Sequence, residues 1–347
     1  MRWEENMVVR RGARISWPVK TPELNVTGQD SFERKIKMKH VFLLSAILAA
    51  GVMVSPTPTK AADTSGPMRF VLIPKTVHPW FDKVNAGAQS AATMLSKATG
   101  QQITVEYRAP QSADVSMQND IIERAIATHP NGILLDPLDE KGNRSTMEEA
   151  DGQGVGLTVF DSPPPQGMDV TGVGADFCEQ GTLAAERLVK LIGEKGEVAI
   201  MMGVPTAPNH SIRAQCEQKV FAKYPAVKVV ATGIDNDSIE TAQKQASAIM
   251  QAHPNLAGWV ACDAAGPVGV GQAIRESGQT GKVKEVGLDN LNDMIQLIKD
   301  GVAESSASSR PEMQGYWAVV AAWQKAAGQK TPKNIDTGID IITKQSL

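Results

Sequence analysis

Short apolar runs that alternate with amphipathic stretches predict an α/β fold, and an internal echo of that alternation predicts two doubly wound parallel-sheet lobes. The apolar runs fall at 68–73, 103–107, 132–135 and 157–160, then briefly at 170–173, and again at 198–202, 227–231, 257–261 and 283–288. Between them lie helix-like segments at 81–97, 115–128, 182–192, 212–223, 239–252 and 268–276. Strands without polar alternation, separated by helices, are buried on both faces, as in parallel sheets.

The echo is specific. Ala127-Thr128-His129-Pro130-Asn131 precedes a strand and Asp136; Gln251-Ala252-His253-Pro254-Asn255 precedes a strand and Asp263. In each half a proline stops a helix and a buried strand ends on an aspartate. The next strand ends likewise, on Asp161 and on Asp289. Each lobe thus places two carboxylates beyond the C-terminal ends of neighbouring strands, the edge where open α/β sheets bind ligands. Two such edges facing one another make a cleft. His129 and His253 read as turn residues that mark the repeat.

The N-terminus is of a different kind. From Met38 the chain reads Lys39-His40, an apolar run over 41–54, and then Ser55-Pro56-Thr57-Pro58-Thr59-Lys60-Ala61. A basic start, a short apolar core, a helix breaker and small residues before a cleavage point make 38–61 a signal peptide, and its apolar run over 41–54 is too short for a membrane span of about 20 residues. Residues 1–37 are polar and aperiodic, and read as an over-called extension ahead of a true start at Met38. The expected location is periplasmic.

Charge narrows the function. The net charge of −3 is uneven: residues 1–61 hold 10 Lys+Arg against 5 Asp+Glu, leaving 25 against 33 in the body. An acidic body speaks against a nucleic-acid partner. Cys178, Cys216 and Cys262 form no CxxC and no cluster with the histidines, so no metal site is expected. Cys178 and Cys216 fall on helices of one half and could pair in an oxidising compartment; the alternative is buried, inert thiols. Neither a GxSxG elbow nor a GxxxxGK[ST] loop occurs, and Gly269-Val270-Gly271 lacks the context of a dinucleotide site. No catalytic residue and no cofactor is expected.

The candidate ligand residues begin after the first strand, at Pro74-Lys75-Thr76-Val77-His78-Pro79-Trp80-Phe81. Adjacent aromatics are notable in a chain only 5% aromatic. Sugars offer C–H faces to aromatic rings and rim hydroxyls to fixed polar groups. Trp80 and Phe81 with the strand-end aspartates supply both; the competing reading is a buried helix-start staple. Arg213 can fork onto hydroxyls or pair with an aspartate; otherwise it is a surface charge.

In order and spacing, residues from about Met68 to Thr343 resemble the type I periplasmic sugar-binding proteins of ABC transporters, the ribose/galactose-binding group. His78-Pro79-Trp80-Phe81 matches that family's aromatic loop, Asp161-Ser162 its pair after the fourth strand, Arg213 its cleft arginine, and Asp263 and Asp289 its polar residues after the strands of the second lobe. Ser309, and Asp237 or its neighbour Asn236, fall at further cleft positions. The resemblance implies three crossings between lobes near 175–176, 309–310 and 337–338. That three-strand hinge divides the chain into 62–175 plus 310–337, and 176–309 plus 338–347. It also implies closure over a sugar, recognition by an inner-membrane permease, a possible chemoreceptor partner, and a monomer.

Where the ribose pattern has Asn, Arg and Asn, this chain has Asp136, Ser162 and Asp263. So acidic a cleft needs a compensating cation: a protonated His78, Lys75, Arg213, or the ligand itself. A cationic amino sugar, its ammonium among Asp136, Asp161 and Asp263, stands beside a neutral monosaccharide or polyol. Lys75 and Asp161 also match the autoinducer-2-binding relatives, but Asn209-His210 stands where those carry Asp-Gln. A furanosyl signal and a secreted sugar hydrolase are the alternatives.

Overall fold

The computed structural model describes residues 66–347; the expected extension at 1–37 and signal peptide at 38–61 lie outside the described residues. In chain order the elements are β1 (Met68–Ile73), α1 (Pro79–Thr99), β2 (Ile103–Tyr107), α2 (Val115–Ile126), β3 (Gly132–Leu135), α3 (Arg144–Gly152), β4 (Gly156–Phe160) and β5 (Thr171–Gly174). Then follow α4 (Phe177–Leu191), β6 (Gly196–Met202), α5 (Pro208–Phe221), β7 (Val227–Ile234), α6 (Ile239–Ala252), β8 (Leu256–Ala261), α7 (Ala265–Glu276), β9 (Lys284–Leu288), α8 (Asn292–Lys299) and β10 (Ser305–Ser308). The chain ends with α9 (Pro311–Ala326), β11 (Asn334–Asp336) and β12 (Asp340–Thr343).

The strands form two six-stranded sheets, ordered β11-β5-β4-β3-β1-β2 and β12-β10-β9-β8-β6-β7. Replacing β1–β5 by β6–β10 and β11 by β12 turns one order into the other, so the lobes are built alike. Every pairing is parallel except β10 with β12. The central strands β3 and β4 and the end of β8 are buried on both faces, in keeping with their mainly apolar runs.

The chain passes between the sheets three times. After β5 of the first sheet, α4 packs on β8, β9 and β10 of the second. After β10, α9 returns to pack on α1, β3 and β4. β11 then joins the first sheet and β12 the second. The return of α9 depends on two glycines: a Cβ at Gly87 or Gly315 would collide with the carbonyl oxygen of Glu312 or of Val84, so the two helices meet backbone to backbone.

Local signals set the helix ends. His78 caps α1, with Pro79 in its first turn and left-handed Gly100 closing it. Asp114, Asp176 and Ser238 cap α2, α4 and α6 by accepting backbone N–H groups. Two starts lie four or five residues earlier than the periodicity predicts. The α4 helix begins at Phe177 because Asp176 caps it, and α5 begins at Pro208, a residue suited to a first turn. The apolar pattern also misses α3, which buries only Thr146, Met147 and Ala150, and β10, whose Ser305-Ser306-Ala307-Ser308 reads as a loop yet is wholly buried.

Cys178 and Cys216 form a disulfide that ties α4 to α5, with Cα atoms 5.4 Å apart; Cys262 is free and buried. Among the described residues no helix is long and apolar enough to cross a membrane.

Candidate ligand-binding site

The C-terminal edges of the two sheets face each other. Asp136 and Asp161 follow β3 and β4 in one lobe; Asp263 and Asp289 follow β8 and β9 in the other, and all four are buried. Asp161 and Asp289 are held at φ 45° and 62°. That left-handed conformation, uncommon outside glycine, turns the chain sharply at equivalent points of both lobes.

Lys75, from the loop after β1, reaches into this acidic edge. Its Nζ lies 3.2 Å from Asp136 Oδ2 and 3.7 Å from Asp161 Oδ2. It also contacts Asn209 Oδ1 of the opposite lobe at 3.4 Å. Burial opposes its charge, but Asp136, Asp161 and Asp237 outweigh burial and raise its pKa above the ordinary lysine value. Burial likewise pushes Asp136 well above the usual carboxylate range, with Lys75 pulling the other way.

Arg213 is the second cation, and it is buried rather than a surface charge. Its Nε donates to Gln180 Oε1 at 2.8 Å, its Nη1 to the Cys262 carbonyl at 3.0 Å, and its Nη2 to Asp161 Oδ1 at 3.4 Å. The Phe177 ring lies 5.0 Å beneath the guanidinium. Asn209 Nδ2 donates to Asp161 Oδ2 at 2.6 Å. Asp161 is therefore the point on which both lobes converge.

The remaining acids are fixed by the backbone. Asp263 accepts from Ala265 N at 3.0 Å and Gly266 N at 3.1 Å. Asp289 accepts from the backbone N–H and hydroxyl of Ser309. Asp235, at the end of β7, is pushed up to about 10 by burial and by Asp263; Asp263 is raised to about 7 by burial and by Asp237. Asp235 thus holds a proton at neutral pH, which relieves part of the acidity.

Trp80 and Phe81 serve both functions weighed for them. They line the cavity and also belong to the core, with their rings edge-to-face at 5.2 Å and Phe81 packed on Phe160 at 6.4 Å. The cavity left between the lobes measures about 20 Å³. Its walls bring together Lys75, His78, Trp80, Phe81, Asp161, Arg213, Asp237, Asp263 and Asp289, candidates named from the sequence, with His210 and Ala264. Asp136 stands behind Lys75, and Ser309 behind Asp289.

Three expectations need correction. Ser162 is not on this wall; it lines a separate cavity of about 360 Å³ beside the crossing at Ala175-Asp176. His78 is not the compensating cation: its Nδ1 accepts from Trp80 N at 3.2 Å, and burial lowers its pKa. Cys178 and Cys216 are not inert thiols but a disulfide. Three buried residues were missed as site residues: Asn209, His210 and Asp235. The early start at Pro208 could have pointed to the first two, because it puts them in the first turn of α5 at the sheet edge. Among the described residues no His, Cys, Asp and Glu side chains gather in a group of three that could hold a metal ion.

Two like lobes, three crossings and a polar cleft at facing sheet edges make the architecture of a two-lobed binding protein. Comparison with known proteins agrees. Residues 69–330 match the model of the periplasmic binding protein domain. A D-ribose/D-allose-binding protein of Pseudomonas aeruginosa is 26% identical, over 87% of this chain and 97% of that protein. A solute-binding protein of an ABC transporter from Burkholderia graminis, solved in complex with D-arabinose, is 30% identical; it superposes with a TM-score of 0.76, covering 81% of this chain and 97% of that one. A carbohydrate-transporter solute-binding protein from Agrobacterium radiobacter, also with D-arabinose, is 27% identical with a TM-score of 0.75 over 80% and 95%. The chain belongs to the periplasmic binding protein domain family, as a type I periplasmic sugar-binding protein.

Proposed function

We propose that this protein is the solute-binding component of an ABC transporter, and that it captures a neutral monosaccharide or related polyol between its lobes. The lobes 62–175 plus 310–337 and 176–309 plus 338–347 close about the three crossings and present the closed form to an inner-membrane permease. It acts in the periplasm as a binder and not an enzyme. The disulfide is in keeping with an oxidising compartment.

One observation carries the choice of a neutral ligand. The position foreseen for a ligand ammonium, among Asp136, Asp161 and Asp263, is taken on its Asp136–Asp161 side by the protein's own Lys75. With Arg213 on Asp161, the cleft supplies its own cations. What it still offers is acceptors at Asp237, Asp263 and Asp289, donors at Lys75 and Arg213, and ring faces at Trp80 and Phe81. That combination suits hydroxyls on a compact apolar frame.

Thermal shift and titration calorimetry with D-ribose, D-arabinose, D-allose, xylitol and D-glucosamine, at low and high salt, test this reading. A neutral member at 1,000 times its Kd should stabilise the protein by about 4 kcal/mol and be recovered unchanged. Stabilisation by D-glucosamine alone, or by none of the five, would refute it.

A further inference from the structure

His210 accounts for part of the cleft that no reading above uses. It stands in the first turn of α5, the helix after β6, and β6 takes in its sheet the place β1 takes in the other. His78, which caps the helix after β1, is therefore its counterpart across the cleft. Both rings are buried, and both are fixed by a backbone N–H. Trp80 N donates to His78 Nδ1 at 3.2 Å, and Val204 N donates to His210 Nδ1 at 2.9 Å. A backbone N–H can only donate, so each Nδ1 is an acceptor and carries no proton. A neutral imidazole then bears its hydrogen on Nε2.

For His210 that hydrogen meets an unsuitable neighbour. Nε2 lies 3.3 Å from Lys75 Nζ, and an ammonium has hydrogens to give and no lone pair to accept with. Two donors face each other. Asp237 Oδ1 lies 3.9 Å from the same Nε2, too far for a direct bond but within reach of one intervening oxygen. Asp237 Oδ2 is buried with no hydrogen-bond partner among the described residues. A group placed here must accept from Nε2–H and from the ammonium while donating to a carboxylate. A hydroxyl does all of this; an ammonium cannot accept, and a carboxylate cannot donate. The ring's close approach to the chain is itself built in, because a Cβ at Gly203 would stand 2.5 Å from His210 Nδ1.

We infer that His210 and Asp237 form a hydroxyl-recognition subsite on the second lobe, in which His210 Nε2 donates to a ligand hydroxyl that in turn donates to Asp237. The inference rests on the sugar-binding reading and assigns one corner of that site. Lys75 adds a second donor to the same oxygen. His78 presents a matching Nε2, buried with no partner among the described residues, from the opposite wall.

The competing account is that His210 merely braces the loop through Val204. Two substitutions separate them. In His210→Asn the amide oxygen can replace Nδ1 as acceptor for Val204, but the side chain is too short to replace Nε2. In His210→Gln the amide nitrogen can reach the Nε2 position. Calorimetry would use whichever of D-ribose, D-arabinose, D-allose and xylitol the wild type binds most tightly, with melting temperatures recorded alongside. His210→Asn should melt near wild type but bind about tenfold more weakly, and His210→Gln should regain most of that loss. Monodeoxy analogues of the same sugar should include one that wild type binds about tenfold more weakly than the parent and that His210→Asn does not distinguish from it. Wild-type affinity in His210→Asn, or an unchanged preference for the parent over every analogue, would overturn the subsite and leave the sugar-binding reading standing. Failure of wild type to bind any of the four would overturn both.

Discussion

Opening the Cys178–Cys216 disulfide should weaken the second lobe and, through it, the hold on Arg213. The bond closes a loop over a separation of 38 residues. Chain entropy for a loop of that length is worth about 4 kcal/mol. The apolar contacts of α4 and α5, through Ala184, Leu188, Ala214 and Phe221, persist without it, so the lobe is destabilised rather than abolished. The bond also sits where the site is built. Phe177 and Gln180, on either side of Cys178 in α4, hold the guanidinium of Arg213, which precedes Cys216 by one turn of α5. Urea unfolding of the oxidised protein, the reduced protein and the Cys178→Ala/Cys216→Ala variant measures the first effect. With a slope of about 3 kcal/mol/M, the midpoint should fall by about 1.3 M. Thiol titration in denaturant should count Cys262 alone before reduction and all three cysteines after it. Sugar affinity should fall about threefold to tenfold, as for one loosened charged hydrogen bond. Equal midpoints in the oxidised and reduced forms would refute the reasoning, whatever happened to affinity.

Two further substitutions probe the buried charges. Lys75→Met removes the ammonium between Asp136 and Asp161; it should cost about 3 kcal/mol of stability and let the variant bind D-glucosamine, which wild type should not bind. A variant that still binds only neutral sugars in calorimetry would count against Lys75 as the internal cation. Burial raises Glu217 to about 8 from an ordinary 4.5, so its folded form keeps a proton that the unfolded chain gives up. The stability this contributes is complete below about 4.5 and is lost as pH rises through about 8. Glu217→Gln should therefore gain on wild type between pH 5 and 9, by about 4 kcal/mol at most; parallel urea midpoints across that range would show that Glu217 does not titrate as described.

Chain-local physics made much of this protein legible before any fold was known. Mainly apolar runs marked β1, β3, β4 and β8 because a strand covered on both faces has little polar side to show. The His-Pro-Asn echo and the aspartates that follow it marked two like lobes, since a strand end and a helix stop are written in neighbouring residues. Aspartates at strand ends pointed to the edge where the candidate cleft lies. Other features depend on groups far apart in sequence. Ser305–Ser308 is a strand because it is buried between β9 and β12, not because its residues favour one. Whether Lys75 or a ligand would answer the acidic edge turned on a loop from one lobe reaching carboxylates on other strands, and only the fold puts Ser162 on a separate cavity. Asn209 and His210 entered the site only through the early start of α5 and the meeting of the two lobes. A sequence records the chemistry each position can supply. Which donor faces which acceptor is a matter of distances across the cleft, and these exist only once both sheets are folded and brought edge to edge.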